Sequence, residues 1–548
     1  MDVFGLSLRN WAIVILVNLV VSLFLFLVFR SKYKISKAFL GIVMIGLIFT
    51  CFRFFPHFNQ ILFWLVLPSI ILSSLVYLFT YQKKPDEIWD IPIETNKGKK
   101  YIRRVQRGVS IFGSAGSGKT ISIIYPILTH FSEKNFAGVI YDFKDGELTE
   151  FAIPLFRDNL KVIAIHKPSI SYRVNPIAPE FLDGEKDINE IVTVIMDNLI
   201  NSGIGKGDDF FKDSASSLLS SVILKFWFDH KNYCTLPHVI SFILGLDFSI
   251  SEQVAKPSYN LSDQAQNKFA KLKAFLTSND RVAIQGSAFI MGLASERQTA
   301  SVLSTLANAL RKISFPEAYW VLSHNEIALD INEEKNRAVI SIVNEPKSSK
   351  FLSPINATII HTITKQMMVK NRQQSFVVLD EAPTIKLLNM AQIPATMRSF
   401  EVATVYCAQD IVQGIVQYGR DGFKEILANL STQFFGKSND PDTSKFYESY
   451  FELIKEKTKS TSQKGDFFSS GGRTITIGEK DVSKFKASRF NNLKVGEFAM
   501  LSDGDNDIYQ IYPKNIVKGD ISTRKQVTTQ MLENNFSKIL NEVKLLID

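Results

Sequence analysis

One stretch of the sequence, GVSIFGSAGSGKTISIIYPIL at 108–128, constrains the fold more than any other. It joins a short apolar strand, VSIF, to a loop that fits the pattern G-x-x-x-x-G-K-[ST] and to a segment that can begin a helix. In such an arrangement the loop backbone wraps a phosphate, and amide N–H groups at the helix N-terminus point at the anion. The stretch therefore predicts an α/β domain that binds a nucleotide.

The loop itself supplies most of the predicted contacts to ATP and Mg²⁺. Lys119 is expected to bridge the β- and γ-phosphates, and the Thr120 hydroxyl is expected to hold Mg²⁺. The residues predicted to bind the nucleotide are Gly113, Ser114, Ala115, Gly116, Ser117, Gly118, Lys119 and Thr120.

A second stretch, SFVVLDEAPTI at 375–385, supplies acidic partners for the loop. Four apolar residues, 376–379, predict a buried strand that ends in Asp380 and Glu381. An acid at this end of a parallel strand can order the water shell of Mg²⁺, and this role suits Asp380. Hydrolysis also needs a base beside the γ-phosphate, and we assign that role to Glu381. The alternative is an ordinary pair of acids at a strand end.

Further strands are predicted in AGVIYDFKDGEL (137–148), RAVISIVNE (337–345), ATVYCAQD (403–410) and TQFFGKS (432–438). They alternate with helical stretches, which indicates an α/β fold with a mostly parallel central sheet. The first of them ends at Asp142. Acids at strand ends of such sheets gather at the ligand face, so Asp142 is also predicted to contact the nucleotide.

The N-terminal part of the chain contains three apolar runs, at about 11–29, 38–55 and 61–80, and the first and last of them are uncharged. A helix needs about 20 apolar residues to cross a bilayer. Basic residues follow the first and last runs, which places both of these flanks in the cytoplasm. We therefore expect an anchor over 1–84 with two or three spans, a multi-pass location in the cell inner membrane and a mainly cytoplasmic chain. A cleaved signal peptide would explain the first run alone.

Composition narrows the choice of partners. The formal net charge is +9, which favours nucleic acid, nucleotide or an anionic membrane surface, although part of the excess flanks the apolar runs. The three cysteines have no metal-like spacing, which argues against structural disulfides and a zinc site.

The order of several motifs resembles one family, the coupling-protein ATPases of type IV secretion and conjugation (the TraG/TraD group). The motifs are the phosphate loop, YDFKDGEL (141–148), YRVNP (172–176), FKDSASSLLSSVIL (211–224), VLDEAP (378–383), YCAQD (406–410) and ILANLSTQFFGKSND (426–440). The resemblance implies a RecA-like, FtsK/HerA-like P-loop ATPase that assembles as a homo-hexamer. It also implies an all-α domain inserted in the nucleotide-binding domain.

Five segments follow from this resemblance and from the sequence patterns. They are the membrane anchor (1–84), the first part of the nucleotide-binding domain (85–180), the all-α insert (181–312), the second part of the nucleotide-binding domain (313–520) and a helical tail (521–548). Segment 181–312 has few strand patterns and several amphipathic stretches, as an all-α insert requires.

Two further site residues come from the resemblance. Arg398 matches the arginine that reaches the nucleotide of a neighbouring subunit, where a cation neutralises charge on the γ-phosphate. Gln409 matches the glutamine that senses the γ-phosphate. The alternatives are a surface arginine in a turn and a polar residue at a strand end.

The predicted function is an inner-membrane ATPase that recruits single-stranded DNA with its relaxase (the relaxosome) and pumps it into a type IV secretion channel. The alternative is a receptor ATPase for secreted effector proteins. A chromosome-segregation pump of the FtsK kind fits less well, because neither a long linker nor a separate DNA-reading domain is visible. The basic segment 455–474 is interpreted as a mobile loop. It either contacts nucleic-acid phosphates or is the solvated tip of a hairpin.

Overall fold

The computed structural model describes residues 86–200, 208–246, 270–293, 295–463, 473–513 and 515–547, and a few isolated positions before residue 86. The chain divides into two units, Met1–Pro85 and Asp86–Asp548. In the first unit the isolated described positions, such as Ala12 and Leu19, are helical. The second unit carries the sheet and all of the predicted site residues.

The prediction of a multi-pass protein of the inner membrane is overturned. No helix in the described part of the chain is long and apolar enough to cross a bilayer. The longest, Asp208–Asp229, has 22 residues but carries six charged side chains. The apolar runs at 11–29, 38–55 and 61–80 lie outside the described residues, apart from the isolated positions.

Thirteen strands are present in the described residues. They are β1 (Ile91–Thr95), β2 (Gly98–Ile102), β3 (Val109–Phe112), β4 (Ala137–Asp142), β5 (Leu160–Ala164), β6 (Val339–Val343), β7 (Ser375–Leu379), β8 (Val402–Ala408), β9 (Thr432–Phe435), β10 (Leu453–Gln463), β11 (Arg473–Ser483), β12 (Glu497–Ser502) and β13 (Asp505–Gln510).

The helices that flank the strands also begin and end at defined residues. They are α1 (Tyr125–Glu133), α2 (Glu147–Phe156), α3 (Glu185–Leu199), α4 (Asp208–Asp229), α5 (Leu236–Gly245), α6 (Asp280–Gln285), α7 (Ser287–Gly292), α8 (Glu296–Arg311), α9 (Pro316–Leu322), α10 (Ser349–Met367), α11 (Ile393–Met397), α12 (Ile411–Tyr418), α13 (Arg420–Ala428), α14 (Pro441–Glu448), α15 (Ala487–Asn491) and α16 (Thr529–Ile547).

Nine strands form the central sheet, in the order β13-β12-β9-β3-β8-β7-β4-β6-β5. From β9 to β5 all neighbours are parallel, whereas β12 and β13 add an antiparallel edge. Every residue of β4, β7 and β8 is buried. Continuous apolar strands of this kind need cover on both faces, and that requirement explains the α/β architecture. The prediction of a mostly parallel α/β sheet is confirmed.

The strands alternate their side chains between two apolar cores. On one face, Ile111 of β3 and Phe376 of β7 pack with α1, α2 and the β1–β2 hairpin. On the other face, Phe112 and Val377 pack with α10 and the helices between β5 and β6. This alternation is the period-two pattern of a strand, and it fixes the register of the sheet.

The described residues between β5 and β6 contain helices α3 to α9 and no strand. The C-terminal helix α16 packs against two of these helices, α5 and α9, and the rings of Phe536 and Tyr319 lie 4.5 Å apart. The unit Asp86–Asp548 is compact as a whole. The internal boundaries at 181, 312 and 520 therefore stay predictions.

Two parts of the sheet were not predicted, whereas the basic segment 455–474 agrees with one of its two interpretations. Strand β5 and the β12–β13 edge were not predicted, although both complete the sheet. The basic segment 455–474 begins and ends within a hairpin, because β10 and β11 pair along their full length.

Gly138 of β4 tests how tightly the sheet is packed. A Cβ at this position would lie 2.5 Å from the ring of Phe376, which stacks on Phe131 at 4.7 Å. Gly138→Ala should therefore destabilise the protein by about 1–3 kcal/mol, because the ring cannot move without disturbing the core. Urea unfolding of the full chain measures this change.

Gly422→Ala is the matched control, because its Cβ would meet no atom closer than 3.8 Å and it lies within α13. That variant should be neutral or slightly more stable, since alanine favours a helix. Equal effects of the two substitutions would show that the Gly138–Phe376 contact is not a tight one.

Candidate nucleotide site

The parallel strands bring the predicted site residues to one edge of the sheet. β3, β4, β7 and β8 are neighbours or near neighbours with the same direction, so their carboxyl ends meet there. The phosphate-loop sequence follows β3, Asp380 and Glu381 follow β7, and Gln409 follows β8. Segments that are far apart in the chain thus meet around one concave edge, where parallel sheets bind ligands.

The loop between β3 and the next helix has the backbone that a phosphate cradle needs. Gly116 and Gly118 have φ values of 75° and 93°, a conformation that favours glycine. A Cβ at Gly113 would lie 2.6 Å from the Ser117 hydroxyl, and one at Gly118 would lie 3.0 Å from the Gly496 nitrogen. The glycines are therefore required by strain and by close approach.

The rest of the loop is supported from behind and open in front. The Ser114 amide donates to the Lys437 carbonyl at 2.7 Å, and the Gly496 amide donates to the Ser117 carbonyl at 2.9 Å. Ala115 and Gly116, at the crest, are exposed. The following helix starts with a π-helical turn, Thr120–Ile124, before α1 begins. Such turns are uncommon and often occur at functional sites.

Lys119 is buried within the loop, with 6% of its surface exposed. Its Nζ donates to the Gly113 carbonyl and lies 3.9 Å from Oε1 of Glu381. Burial lowers the pKa of Lys119, and the negative charge of Glu381 acts against this shift. The ammonium group is thus held where the loop amides converge, and its charge has little water around it.

The acid pair at the end of β7 is almost completely buried. Asp380 and Glu381 are 3% and 1% exposed. Burial raises the pKa of Asp380 to about 7, with Lys144 opposing and Glu381 adding to the shift. Burial also raises the pKa of Glu381, against the charge of Lys119 and the amide of Gln409. Ionisation of both carboxyl groups is therefore unfavourable in free energy until a cation binds beside them.

Glu381 also has a strained backbone. Its φ of 53° and ψ of 51° place a non-glycine residue in the left-handed region, a conformation that costs on the order of 1–3 kcal/mol. The turn that follows is closed by the Thr384 hydroxyl, which donates to the Glu381 carbonyl at 2.7 Å. From this turn, the Glu381 carboxylate lies 3.9 Å from Nζ of the loop lysine, Lys119.

Several buried polar atoms of this site have no hydrogen-bond partner among the described residues. They are Oδ1 of Asp380, both carboxylate oxygens of Glu381 and Oγ of Ser117. Buried polar groups are nearly always satisfied, so a cluster of free acceptors marks a place for a ligand. Carboxylate and hydroxyl oxygens beside convergent amides fit a magnesium–nucleotide complex.

Asp142 has a different environment from that of the acid pair. Its carboxylate accepts from the Thr149 amide at 2.8 Å, the Thr149 hydroxyl at 2.7 Å and the Lys144 amide at 3.1 Å. Burial raises its pKa, and the bonds from Thr149 oppose the shift. Asp142 thus stabilises the start of α2. Its predicted contact with a nucleotide stays a prediction.

Lys144 is a site residue that the sequence analysis missed. It lies two residues beyond β4 at the same edge as the acid pair. Burial alone would lower its pKa, but the negative charges of Asp380 and Glu147 raise the pKa overall. The position of Lys144 depends on a tight loop in which Asp145 has a φ of 53° and Gly146 a φ of 101°. Its place in YDFKDGEL, directly after a strand-end acid, was the available signal.

Asn344, just beyond β6, is a second missed residue. Its side-chain amide donates to the Tyr141 hydroxyl at 2.7 Å, and its backbone amide donates to the Asp142 carbonyl at 2.7 Å. The Tyr141 hydroxyl in turn lies 2.9 Å from the Thr384 hydroxyl, in the turn after Glu381. Asn344 therefore ties the end of β4 to the acid pair. A polar residue directly after an apolar strand is too common to identify this role in advance.

Gln409 and Arg398 lie at opposite ends of β8. Gln409 follows the strand and lies beside Glu381, whose pKa its amide lowers. Arg398 precedes the strand, is exposed and forms no ion pair with a described residue. Seven strand residues at about 3.3 Å each separate the two by about 20 Å. The structure thus brings Gln409 to the loop and leaves Arg398 at the far edge.

The solved structures that are similar to this chain include bacterial coupling proteins. The unbound monoclinic form of the bacterial conjugative coupling protein TrwBdeltaN70 is 14% identical, with a TM-score of 0.58 over 83% of this chain and 93% of that chain. The plasmid coupling protein TrwB in complex with ADP and Mg²⁺ is 12% identical, with a TM-score of 0.55 over 84% of this chain and 94% of that chain. TrwB in complex with the ATP analogue ADPNP is 13% identical, with a TM-score of 0.55 over 83% of this chain and 94% of that chain. These likenesses establish the fold.

None of the curated proteins compared with the chain matches it. A family model does match, and it covers residues 79–479, which include the loop, the acid pair, Arg398 and Gln409. The resemblance inferred from the motifs is therefore confirmed. The chain belongs to the type IV secretory system conjugative DNA transfer family.

Proposed function

We propose that this protein is a coupling ATPase that hydrolyses ATP to drive single-stranded DNA, with its relaxase, into a type IV secretion channel. The observation that carries the proposal is the buried acid pair with unsatisfied oxygens opposite Lys119. A site that only stored a nucleotide would need the loop but not a strained, buried carboxylate beside the phosphates. Membership of the conjugative DNA transfer family supports DNA and a secretion system as partners.

The loop and its helix perform the binding step. The backbone amides of Ala115, Gly116 and Gly118 to Thr120 donate to the phosphate oxygens, and Lys119 exchanges its contact with the Gly113 carbonyl for the β- and γ-phosphates. Thr120 and Asp380 hold Mg²⁺, which neutralises charge on the phosphates when it is bound. The TrwB structures contain ADP with Mg²⁺ and an ATP analogue, which supports the same ligands here.

Glu381 performs the hydrolytic step. Burial raises the pKa of Glu381, which makes its carboxylate a stronger base towards the attacking water. Its left-handed backbone aims the side chain at the loop, and Lys144 adds positive charge on the side of Asp380. Gln409 lies beside Glu381 at the end of β8. Its uncharged side-chain amide would therefore sense the loss of the γ-phosphate.

Arg398 acts on the site of another subunit in this proposal. It lies about 20 Å from Gln409 of its own chain, at the other end of β8, and it is exposed and without an ion pair among the described residues. A ring of subunits, proposed here as a homo-hexamer, would bring this edge against the open front of a neighbouring loop. The cation would then meet the charge that builds on the γ-phosphate.

The cargo follows from the family and from the charge of the chain. A net charge of +9 favours a polyanion, and motors of this kind hold single strands mainly through phosphate contacts. Binding should therefore depend weakly on sequence and strongly on salt. A receptor for secreted effector proteins would not require this dependence.

The rate of ATP hydrolysis by the full chain, with and without single-stranded DNA, tests the proposed function. We expect DNA to raise the rate and added salt to abolish the increase. Lys119→Ala should lose nucleotide binding. Glu381→Gln should bind nucleotide but hydrolyse it at least about 100-fold more slowly, because it removes the base and keeps the shape.

Two results would contradict this account. Wild-type turnover in Glu381→Gln would show that the acid pair is not the hydrolytic group. A rate that is unchanged by DNA but raised by a secreted protein would favour the effector receptor.

Mixed assemblies test the role of Arg398. If Arg398 acts in trans, each Arg398→Ala subunit disables a wild-type neighbour, so activity should fall more steeply than the wild-type fraction. Arg420→Ala is a suitable control, since Arg420 is another exposed arginine, at the start of α13. A linear decrease with the Arg398→Ala fraction would show that the arginine does not act on a neighbour.

A further inference from the structure

Three large apolar side chains beside the phosphate loop are exposed. Ile121 is 39% exposed, Val495 69% and Tyr512 52%. A single exposed apolar residue needs no explanation, but neighbouring ones usually mark a binding surface. Ile121 directly follows Thr120 of the loop, and the other two come from the segments before β12 and after β13. We name these three residues the apolar shelf.

A tight backbone contact holds the shelf together. The Gly496 amide donates to the Ser117 carbonyl at 2.9 Å, and the Ile511 amide donates to the Gly496 carbonyl at 2.9 Å. A Cβ at Gly496 would lie 3.2 Å from the Ser122 hydroxyl, so the segments approach closely. Val495, Tyr512 and Ile121 directly adjoin Gly496, Ile511 and Ser122 in the chain.

The Tyr512 side of the shelf is fixed to the sheet and to α1. The Tyr512 amide donates to the Glu94 carbonyl at 2.9 Å. Further along the chain, the Tyr125 hydroxyl donates to the Asn515 carbonyl at 2.9 Å. Hydrogen bonds therefore tie this side of the shelf to β1 and to Tyr125, the first residue of α1. A surface that is held in place before binding loses little entropy when a ligand packs on it.

We propose that the apolar shelf binds the base of the nucleotide whose phosphates lie in the loop. This inference rests on the proposed nucleotide binding, and it adds the part of the ligand that the loop, Lys119 and the acid pair do not contact. A purine base has flat apolar faces, which pack on aliphatic side chains and stack on an aromatic ring. The shelf offers an isoleucine, a valine and a tyrosine at the entrance to the loop.

The test compares a ligand that has a base with one that lacks it. Calorimetry of the full chain gives the affinity for ADP and for inorganic tripolyphosphate, both with Mg²⁺. The double variant Val495→Ala/Tyr512→Ala should bind ADP about ten-fold more weakly, in the range found when a stacking side chain is removed. Its affinity for tripolyphosphate should stay at the wild-type value, because the loop is unchanged.

Ile284→Ala/Val369→Ala is the matched control, because these two side chains are also exposed and belong to α6 and to the segment before β7. It should bind both ligands as the wild type does. Lys119→Ala should weaken both ligands, which separates the loop from the shelf.

Two outcomes would contradict the proposal that the apolar shelf binds the base. One is an unchanged ADP affinity in the double variant. The other is an equal loss for ADP and tripolyphosphate together with a change in the sedimentation of the protein, which would assign the surface to contact between subunits. Failure of the wild type to bind either ligand would instead overturn the proposed nucleotide binding itself.

Discussion

The burial of Asp380 and Glu381 opposite Lys119 is the constraint on which the rest of the site depends. Two adjacent carboxyl groups at 3% and 1% exposure cannot ionise freely, and burial accordingly raises the pKa of Asp380 to about 7. Lys119, 3.9 Å from Glu381, compensates only part of this charge. The two carboxyl groups are therefore electrostatically strained. In the proposed mechanism a cation with its phosphates relieves that strain, which couples ligand binding to the state of the whole edge.

The surrounding structure keeps this strained pair in position. The parallel sheet supplies a rigid edge, and Asn344 and Tyr141 connect β4 and β6 to the turn after Glu381. Asp142, which might have added a third negative charge, is satisfied by Thr149 and serves the start of α2. Lys144 instead places a positive charge near Asp380, and it is held by a loop with two left-handed residues. Many ordinary contacts thus offset the backbone strain at Glu381.

Much of the fold could be predicted because its signals are local. The loop after β3 and the apolar strands that end in Asp380, Glu381 and Gln409 are visible as short patterns. Strand β5 and the β12–β13 edge were missed, because they are recognisable only through their pairing partners. Lys144 and Asn344 were missed for the same reason, since their roles arise from charges and bonds across the sheet. The apolar shelf draws on three segments, of which only the first belongs to a motif.

Proton release on binding of MgADP is the measurement that tests the buried acid pair most directly. Calorimetry near pH 7, in two buffers that differ in ionisation enthalpy, counts the protons. Asp380 has a pKa of about 7 in the free protein, and Mg²⁺ favours its charged form, so binding should expel a fraction of a proton and should tighten as pH rises through 7. Asp380→Asn should release fewer protons than the wild type by that fraction. Equal proton release by the two proteins would contradict the account, because Asp380 would then be ionised before the ligand arrives.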